Sequence, residues 1–145
     1  MTIRFNTVDV DGLKLFYREA GDARRPTVLL LHGFPSASHM FRDLIPELAD
    51  NYHVVAPDLP GFGMTEQPAR DRFGYNFENI TNVVDRFTEV LGLTRFAIYV
   101  FDYGAPIGFR LAVKHPERIT AIVTQNGNTY LEGVSDAFAP VMAYW

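Results

Sequence analysis

The amino-acid sequence predicts an α/β fold: a mostly parallel sheet with helices on both faces. Three observations carry this reading. Short apolar runs rich in branched residues alternate with stretches of helical periodicity, giving strand, helix, strand, helix, strand, helix, strand. Three of the apolar runs stop abruptly in polar or Gly/Pro-rich loops, and such sheets place their sites outside the carboxyl ends of their strands. A chain of 145 residues, 48% hydrophobic and 21% charged, can bury a core in one compact domain, which argues against a disordered, collagen-like or coiled-coil protein.

The elements follow in order. Ile3 to Ala20 reads as two strands joined by a turn at Asp11-Gly12, because Leu13, Leu15 and Tyr17 alternate with Lys14, Phe16 and Arg18. Thr27 to Leu31 is a continuous apolar run suited to a buried parallel strand, and it ends at His32-Gly33-Phe34-Pro35. Met40, Phe41, Leu44, Ile45 and Leu48 share one helical face, so Ser36 to Asp50 is expected to be a helix, capped by Ser36 or Ser38, with Pro46 either interrupting it or limiting its first turn. His53 to Ala56 is a short strand, and Pro57-Asp58-Leu59-Pro60-Gly61-Phe62-Gly63 is a loop. Phe77 to Leu91 carries Ile80, Val83, Val84, Phe87 and Leu91 at helical spacing and stops at Gly92. Phe96 to Val100 is a third buried strand, Ile107 to Lys114 a helix halted by His115-Pro116, and Ile119 to Thr124 a fourth core strand.

Composition excludes several classes of function. A formal net charge of −4 gives no broad basic field for a phosphate backbone, so no nucleic-acid partner is expected. The absence of cysteine removes disulfides, a thiol nucleophile and thiolate metal sites. The apolar runs are too short to cross a membrane and the N-terminus lacks a signal-peptide pattern, so a cytoplasmic location is expected. No Gly-x-Gly-x-x-Gly follows a strand and no Walker-type loop occurs, so neither cofactor nor metal is expected.

The loop after Val100 carries the chemistry. It reads Phe101-Asp102-Tyr103-Gly104-Ala105, a polar residue between strand and helix with small residues just beyond it. A nucleophile elbow requires this pattern, because the nucleophile is held in strained backbone and its neighbours must be small. The following amide, on Tyr103, would point into the site at a helix N-terminus. None of the three serines, Ser36, Ser38 and Ser135, sits in such an elbow, so a hydrolase built on this chain should use a carboxylate. The blander alternative is that Asp102 merely caps the helix. A carboxylate that displaces a group from saturated carbon leaves an ester. Water can cleave that ester while backbone amides stabilise the oxyanion, each donor worth about 3–4 kcal/mol. Epoxide opening and dehalogenation fit an Asp elbow, and ordinary ester hydrolysis fits it poorly.

The sequence resembles the α/β-hydrolase fold family, specifically its aspartate-nucleophile branch of epoxide hydrolases and haloalkane dehalogenases. The resemblance rests on Leu31-His32-Gly33-Phe34-Pro35, Asp58-Leu59-Pro60-Gly61-Phe62-Gly63, the Asp102 elbow, Arg110-Leu111-Ala112 and His115-Pro116, in the family's order. It implies that Asp102 is the nucleophile, that Phe34 and Tyr103 supply oxyanion amides, and that His32, Gly33, Pro35 and Gly104 support the loops, with a cis Phe34–Pro35 bond. Dehalogenases of this branch typically hold halide with a Trp after the nucleophile and an Asn after His-Gly. Tyr103 and Phe34 stand there, which favours epoxide opening. Val100 departs from the epoxide-hydrolase pattern, which usually has Gly two residues before the nucleophile.

The resemblance also implies groups that are not found here. The ester must be cleared by water activated by a late His and its acid. His32 falls in the oxyanion loop, His39 and His53 are expected at the surface or at element boundaries, and His115 lies at a helix end. The loop after Thr124, where some dehalogenases place the acid, holds Gln125, Asn126 and Asn128, while Glu132 and Asp136 lie in a segment resembling the start of a cap. Residues 1–128 are therefore read as the N-terminal part of the core and residues 129–145 as the start of a cap, ending in the aromatics Tyr130, Phe138, Tyr144 and Trp145. The chain is expected to be inactive alone, and to self-associate or await a C-terminal half through an open sheet edge. Phe34, Phe62, Phe101 and Tyr103 suggest a small apolar substrate, although Phe62 and Phe101 could equally serve the core. A non-catalytic chain that binds a ligand or a partner is the competing reading.

Overall fold

The computed structural model describes residues 2–143; Met1, Tyr144 and Trp145 lie outside the described residues. Six strands form one sheet in the order β1-β2-β4-β3-β5-β6. They are β1 (Arg4–Val10), β2 (Leu13–Ala20), β3 (Thr27–Leu31), β4 (His53–Pro57), β5 (Phe96–Phe101) and β6 (Ile119–Gln125). β1 and β2 form a hairpin through Asp11 (φ 53°) and Gly12 (φ 90°), the paired left-handed residues that match the twist of a two-residue turn. β2 meets β4 antiparallel, and β3, β4, β5 and β6 run parallel.

The helices are α1 (Leu44–Ala49), α2 (Phe77–Val90), α3 (Gly104–Lys114) and α4 (Ala139–Met142). On one face α2 and α3 bury Ile80, Val84, Phe87, Ala105, Ile107 and Leu111 against Leu29, Leu31, Ile98 and Val100. On the other, Phe41 and the α1 residues Ile45 and Ala49 cover Leu30, Val54 and Ala56. β3 is buried from both sides, as its continuous apolar run requires. α2 starts at Asn76, whose side chain accepts a hydrogen bond from Asn79 N–H (2.8 Å), and it unwinds at Gly92 (φ 67°). Phe87 has no exposed surface and meets Tyr17 edge-on at 5.3 Å, joining helix to sheet. Phe87→Ala is expected to lower stability by about 3–5 kcal/mol in urea unfolding, with the slope of the transition unchanged.

Four expectations need correction. The helix over 36–50 is a 3-10 turn (Ser38–Phe41) followed by the short α1. Neither Ser36 nor Ser38 caps it; Ser38 is buried and receives Arg18 Nε–H on its Oγ (3.1 Å). α3 begins at Gly104 rather than Ile107. Pro106 is tolerated because first-turn N–H groups have no helical partner to lose. β6 is a strand, but it stands at the sheet edge with exposed side chains, Ile122 and Val123 among them. His53 lies at an element boundary, as expected, since it opens β4, but it is buried. Its Nε2 lies 2.8 Å from Glu19 Oε1 and its Nδ1 3.1 Å from Thr27 Oγ1, which ties together β2, β3 and β4. Burial raises the Glu19 pKa, but hydrogen bonds from His53 and Arg4 outweigh it and hold the carboxyl below its usual value.

Residues 129–143, expected as the start of a cap, form short turns at Leu131–Gly133 and Asp136–Phe138 and then α4. Among the described residues no helix is long and apolar enough to cross a membrane.

Candidate active site

β3 is the centre of the sheet. The chain runs from it to β4 on one side and then crosses to β5 on the other, so the carboxyl ends of β3 and β5 flank a topological switch point. The residues singled out in the sequence meet there. Asp102 follows β5 with φ 49°, a left-handed backbone that costs a non-glycine residue about 1–2 kcal/mol. Small neighbours make that turn possible. A Cβ added to Gly104 would fall 2.2 Å from the Leu31 carbonyl oxygen, and one added to Gly33 would fall 2.3 Å from Asp102 Cβ. The obstacle at Gly104 is the backbone of the central strand, which has nowhere to move. Gly104→Ala is therefore expected to cost about 1–3 kcal/mol in chemical unfolding by overpacking.

Asp102 Oδ1 accepts two backbone hydrogen bonds, from Tyr103 N–H (2.6 Å) and from Phe34 N–H (2.8 Å). The second spans the switch point. This geometry differs from that of a simple cap: the N-cap position of α3 belongs to Tyr103, and no side chain caps the helix. Ala105 N–H donates to the Asp102 carbonyl (3.0 Å) and closes the elbow.

The facing loop is held from below. The Phe34–Pro35 bond is cis, as expected. His32 is fully buried, and its Nε2 accepts Leu59 N–H (2.9 Å). The imidazole proton therefore sits on Nδ1, which donates to the Gly33 carbonyl (3.0 Å). Burial lowers the His32 pKa, against the opposing pull of the Gly33 carbonyl and of Asp58 and Asp102, so the ring stays neutral and keeps both bonds.

Asp58 contributes more than its place in a loop motif of the sequence suggests. It is buried, and its Oδ1 accepts Ser38 N–H (2.7 Å) while its Oδ2 accepts Met64 N–H (2.8 Å). Its carbonyl also accepts the Thr65 hydroxyl (2.7 Å). The available signal was a buried-strand exit carrying an Asp before a run of glycines: Gly63 presses so closely on Asp58 Oδ2 that a Cβ would lie 2.0 Å from it.

Aromatic rings cluster about Phe34 and Tyr103, whose N–H groups hold Asp102. Phe34, 59% exposed, stands 5.6 Å from Tyr103 and 6.3 Å from Phe62, and Phe77 meets Tyr103 edge-on at 5.1 Å. Phe62 thus belongs to this ring cluster, while it also packs against the core. Burial, then the neighbouring Asp102, raises the Tyr103 phenol pKa. Among the described residues no histidine hydrogen-bonds Asp102, and no group of three or more His, Asp or Glu side chains is arranged to hold a metal ion. His115 is tied to Asp85 instead, with Nε2 3.0 Å from Oδ2.

An elbow and a facing amide loop at the switch point of a mostly parallel sheet define a hydrolase-type α/β architecture. The chain belongs to the α/β hydrolase fold family, which it matches over residues 26–143. It is 54% identical over 144 residues to an uncharacterized hydrolase of Saccharomyces cerevisiae, covering 98% of this chain and 49% of that protein. A haloalkane dehalogenase of Mycobacterium marinum is 38% identical over 120 residues, covering 82% of this chain and 40% of that protein. The crystal structure of the haloalkane dehalogenase DbeA from Bradyrhizobium elkani superposes with a TM-score of 0.89 at 26% identity, covering 98% of this chain and 50% of that one. The chain spans about half the length, or less, of the curated relatives it matches.

Proposed function

We propose that this chain carries the nucleophilic half of a hydrolase acting at saturated carbon through an alkyl ester on Asp102. One observation carries the reading: the two amides that grip Oδ1 leave Oδ2 without a hydrogen bond among the described residues. Oδ2 is then the attacking atom. Its lone pair forms the new C–O bond as the carbon–oxygen bond of an epoxide breaks, and the released alkoxide takes a proton from water. Oδ1 becomes the carbonyl oxygen of the ester and stays against Phe34 N–H and Tyr103 N–H. When water adds to that carbonyl, the negative charge develops on the atom the amides already hold, with no reorganisation needed. The elbow also lies at the N-terminal end of α3, where the helix dipole favours negative charge.

An epoxide is the preferred substrate class because the side chains beside Asp102, Phe34 and Tyr103, offer neither an amide nor an indole N–H to a departing halide. Haloalkanes are the second reading, supported by the haloalkane dehalogenases among the relatives. The ring cluster suits a small apolar substrate in either case. Incubation with a small epoxide or a bromoalkane, followed by intact mass and peptide mapping, tests both. A hydroxyalkyl adduct on Asp102 supports epoxide opening and an alkyl adduct supports dehalogenation. With no histidine bonded to Asp102 among the described residues, the adduct should persist. A folded chain that gives neither adduct refutes the proposal.

A further inference from the structure

β5 and β6 leave the sheet in the same way. Their last paired residues are Phe101 and Gln125, and the next residue on each, Asp102 and Asn126, turns left-handed with φ 49° and 50°. Neighbouring strands lie about 4.8 Å apart, so the two residues stand side by side at the carboxyl edge of the sheet. The Asn126 loop also rests on the elbow. A Cβ added to Gly127 would fall 2.5 Å from Ala105 Cβ, and Ala105 N–H donates to the Asp102 carbonyl.

We propose that Asn126 is a site of spontaneous deamidation, which places a second carboxylate one strand away from Asp102. Of the seven asparagines, Asn126 alone precedes a glycine. Both residues are exposed, and the Asn126 carboxamide has no hydrogen-bond partner among the described residues. Other asparagines are restrained: Asn6 donates to Glu19, Asn76 accepts from Asn79 N–H, Asn79 donates to the Gly74 carbonyl, and Asn82 accepts from Lys114. At Asn126 the backbone nitrogen of Gly127 can attack Cγ, unshielded by any Cβ on its own residue. The N–Cγ bond forms, the Cγ–Nδ2 bond breaks, and Nδ2 departs as ammonia with the proton from the Gly127 amide. Water then opens the cyclic imide at either carbonyl, giving aspartate or isoaspartate. The net reaction is amide plus water to acid plus ammonia, and it adds one negative charge to the chain.

The inference stands apart from the role proposed for Asp102, and its test needs no substrate. The purified chain is held at mildly alkaline pH in native buffer, with a parallel sample in urea, and both are mapped by peptide mass spectrometry and isoelectric focusing. The amide-to-acid mass gain is expected at position 126 before any other asparagine. The new acidic band should co-migrate with Asn126→Asp and be missing from Asn126→Gln. Persistence of the amide at position 126 in native buffer, whatever the urea sample does, or earlier conversion at another asparagine, overturns the proposal.

Discussion

Asp102→Asn is expected to abolish adduct formation with epoxides and bromoalkanes, a loss on the order of 10⁴-fold or more, as when other enzymes lose their nucleophile. The substitution is chosen to isolate chemistry from structure. An asparagine side-chain oxygen can still accept Phe34 N–H and Tyr103 N–H in place of Oδ1. Asparagine also tolerates the left-handed backbone at φ 49° better than most residues. The fold should therefore survive, as circular dichroism and urea unfolding will show. What disappears is the second carboxylate oxygen, whose place is taken by a carboxamide nitrogen with its lone pair delocalised. An adduct retained in Asp102→Asn, mapped to another residue, would remove Asp102 from the mechanism.

The elbow was legible in the sequence because its constraints are local. A strained residue needs small neighbours, and Gly104 and Gly33 are small for reasons the structure makes explicit: the Leu31 carbonyl behind one and Asp102 Cβ behind the other. The alternation of Leu13, Leu15 and Tyr17 and the Asp11-Gly12 turn placed the first hairpin correctly for the same reason. Misreadings arose where tertiary contacts outweigh local pattern. Met40 to Leu48 has helical spacing, yet the chain breaks near Arg42 so that Phe41 and Ile45 can both reach the sheet. The helix after Asp102 starts three residues earlier than local pattern suggests, because Gly104 and Pro106 are poor helix formers in isolation. Asp58, His53 and Asp85 look like ordinary polar residues in sequence. Their roles depend on partners that lie distant along the chain, Ser38, Glu19 and Arg118, which no periodicity reveals.

Asp85→Ala is expected to destabilise the chain by about 3 kcal/mol, at the lower end of the range for breaking a buried ion pair. Asp85 lies on α2 with its side chain 7% exposed, and three basic side chains converge on it: Lys114 Nζ at 2.8 Å, His115 Nε2 at 3.0 Å and Arg118 Nη1 at 3.0 Å. Arg118 is itself mostly buried; it donates to Thr88 Oγ1 (2.7 Å) and to the Leu93 carbonyl (2.8 Å), so it would keep some partners but lose its counter-charge. These contacts anchor the C-terminal end of α3 to α2, and the N-terminal end of α3 presents the elbow. Burial pushes the Asp85 pKa up, but hydrogen bonds and charge from Lys114 and His115 outweigh it and leave the carboxyl below its ordinary value. The folded state thus binds the Asp85 proton less tightly than the unfolded chain does. Its stabilising contribution is complete above the unfolded value of about 4 and fades as pH falls through the lower folded value. The gap between wild type and Asp85→Ala, measured by urea unfolding, should be constant near neutrality and narrow below about pH 4. Added salt should change it little, because a buried pair is poorly screened. A gap that closes with salt at neutral pH would show instead that Asp85 acts as an exposed surface charge, with no part in anchoring α3.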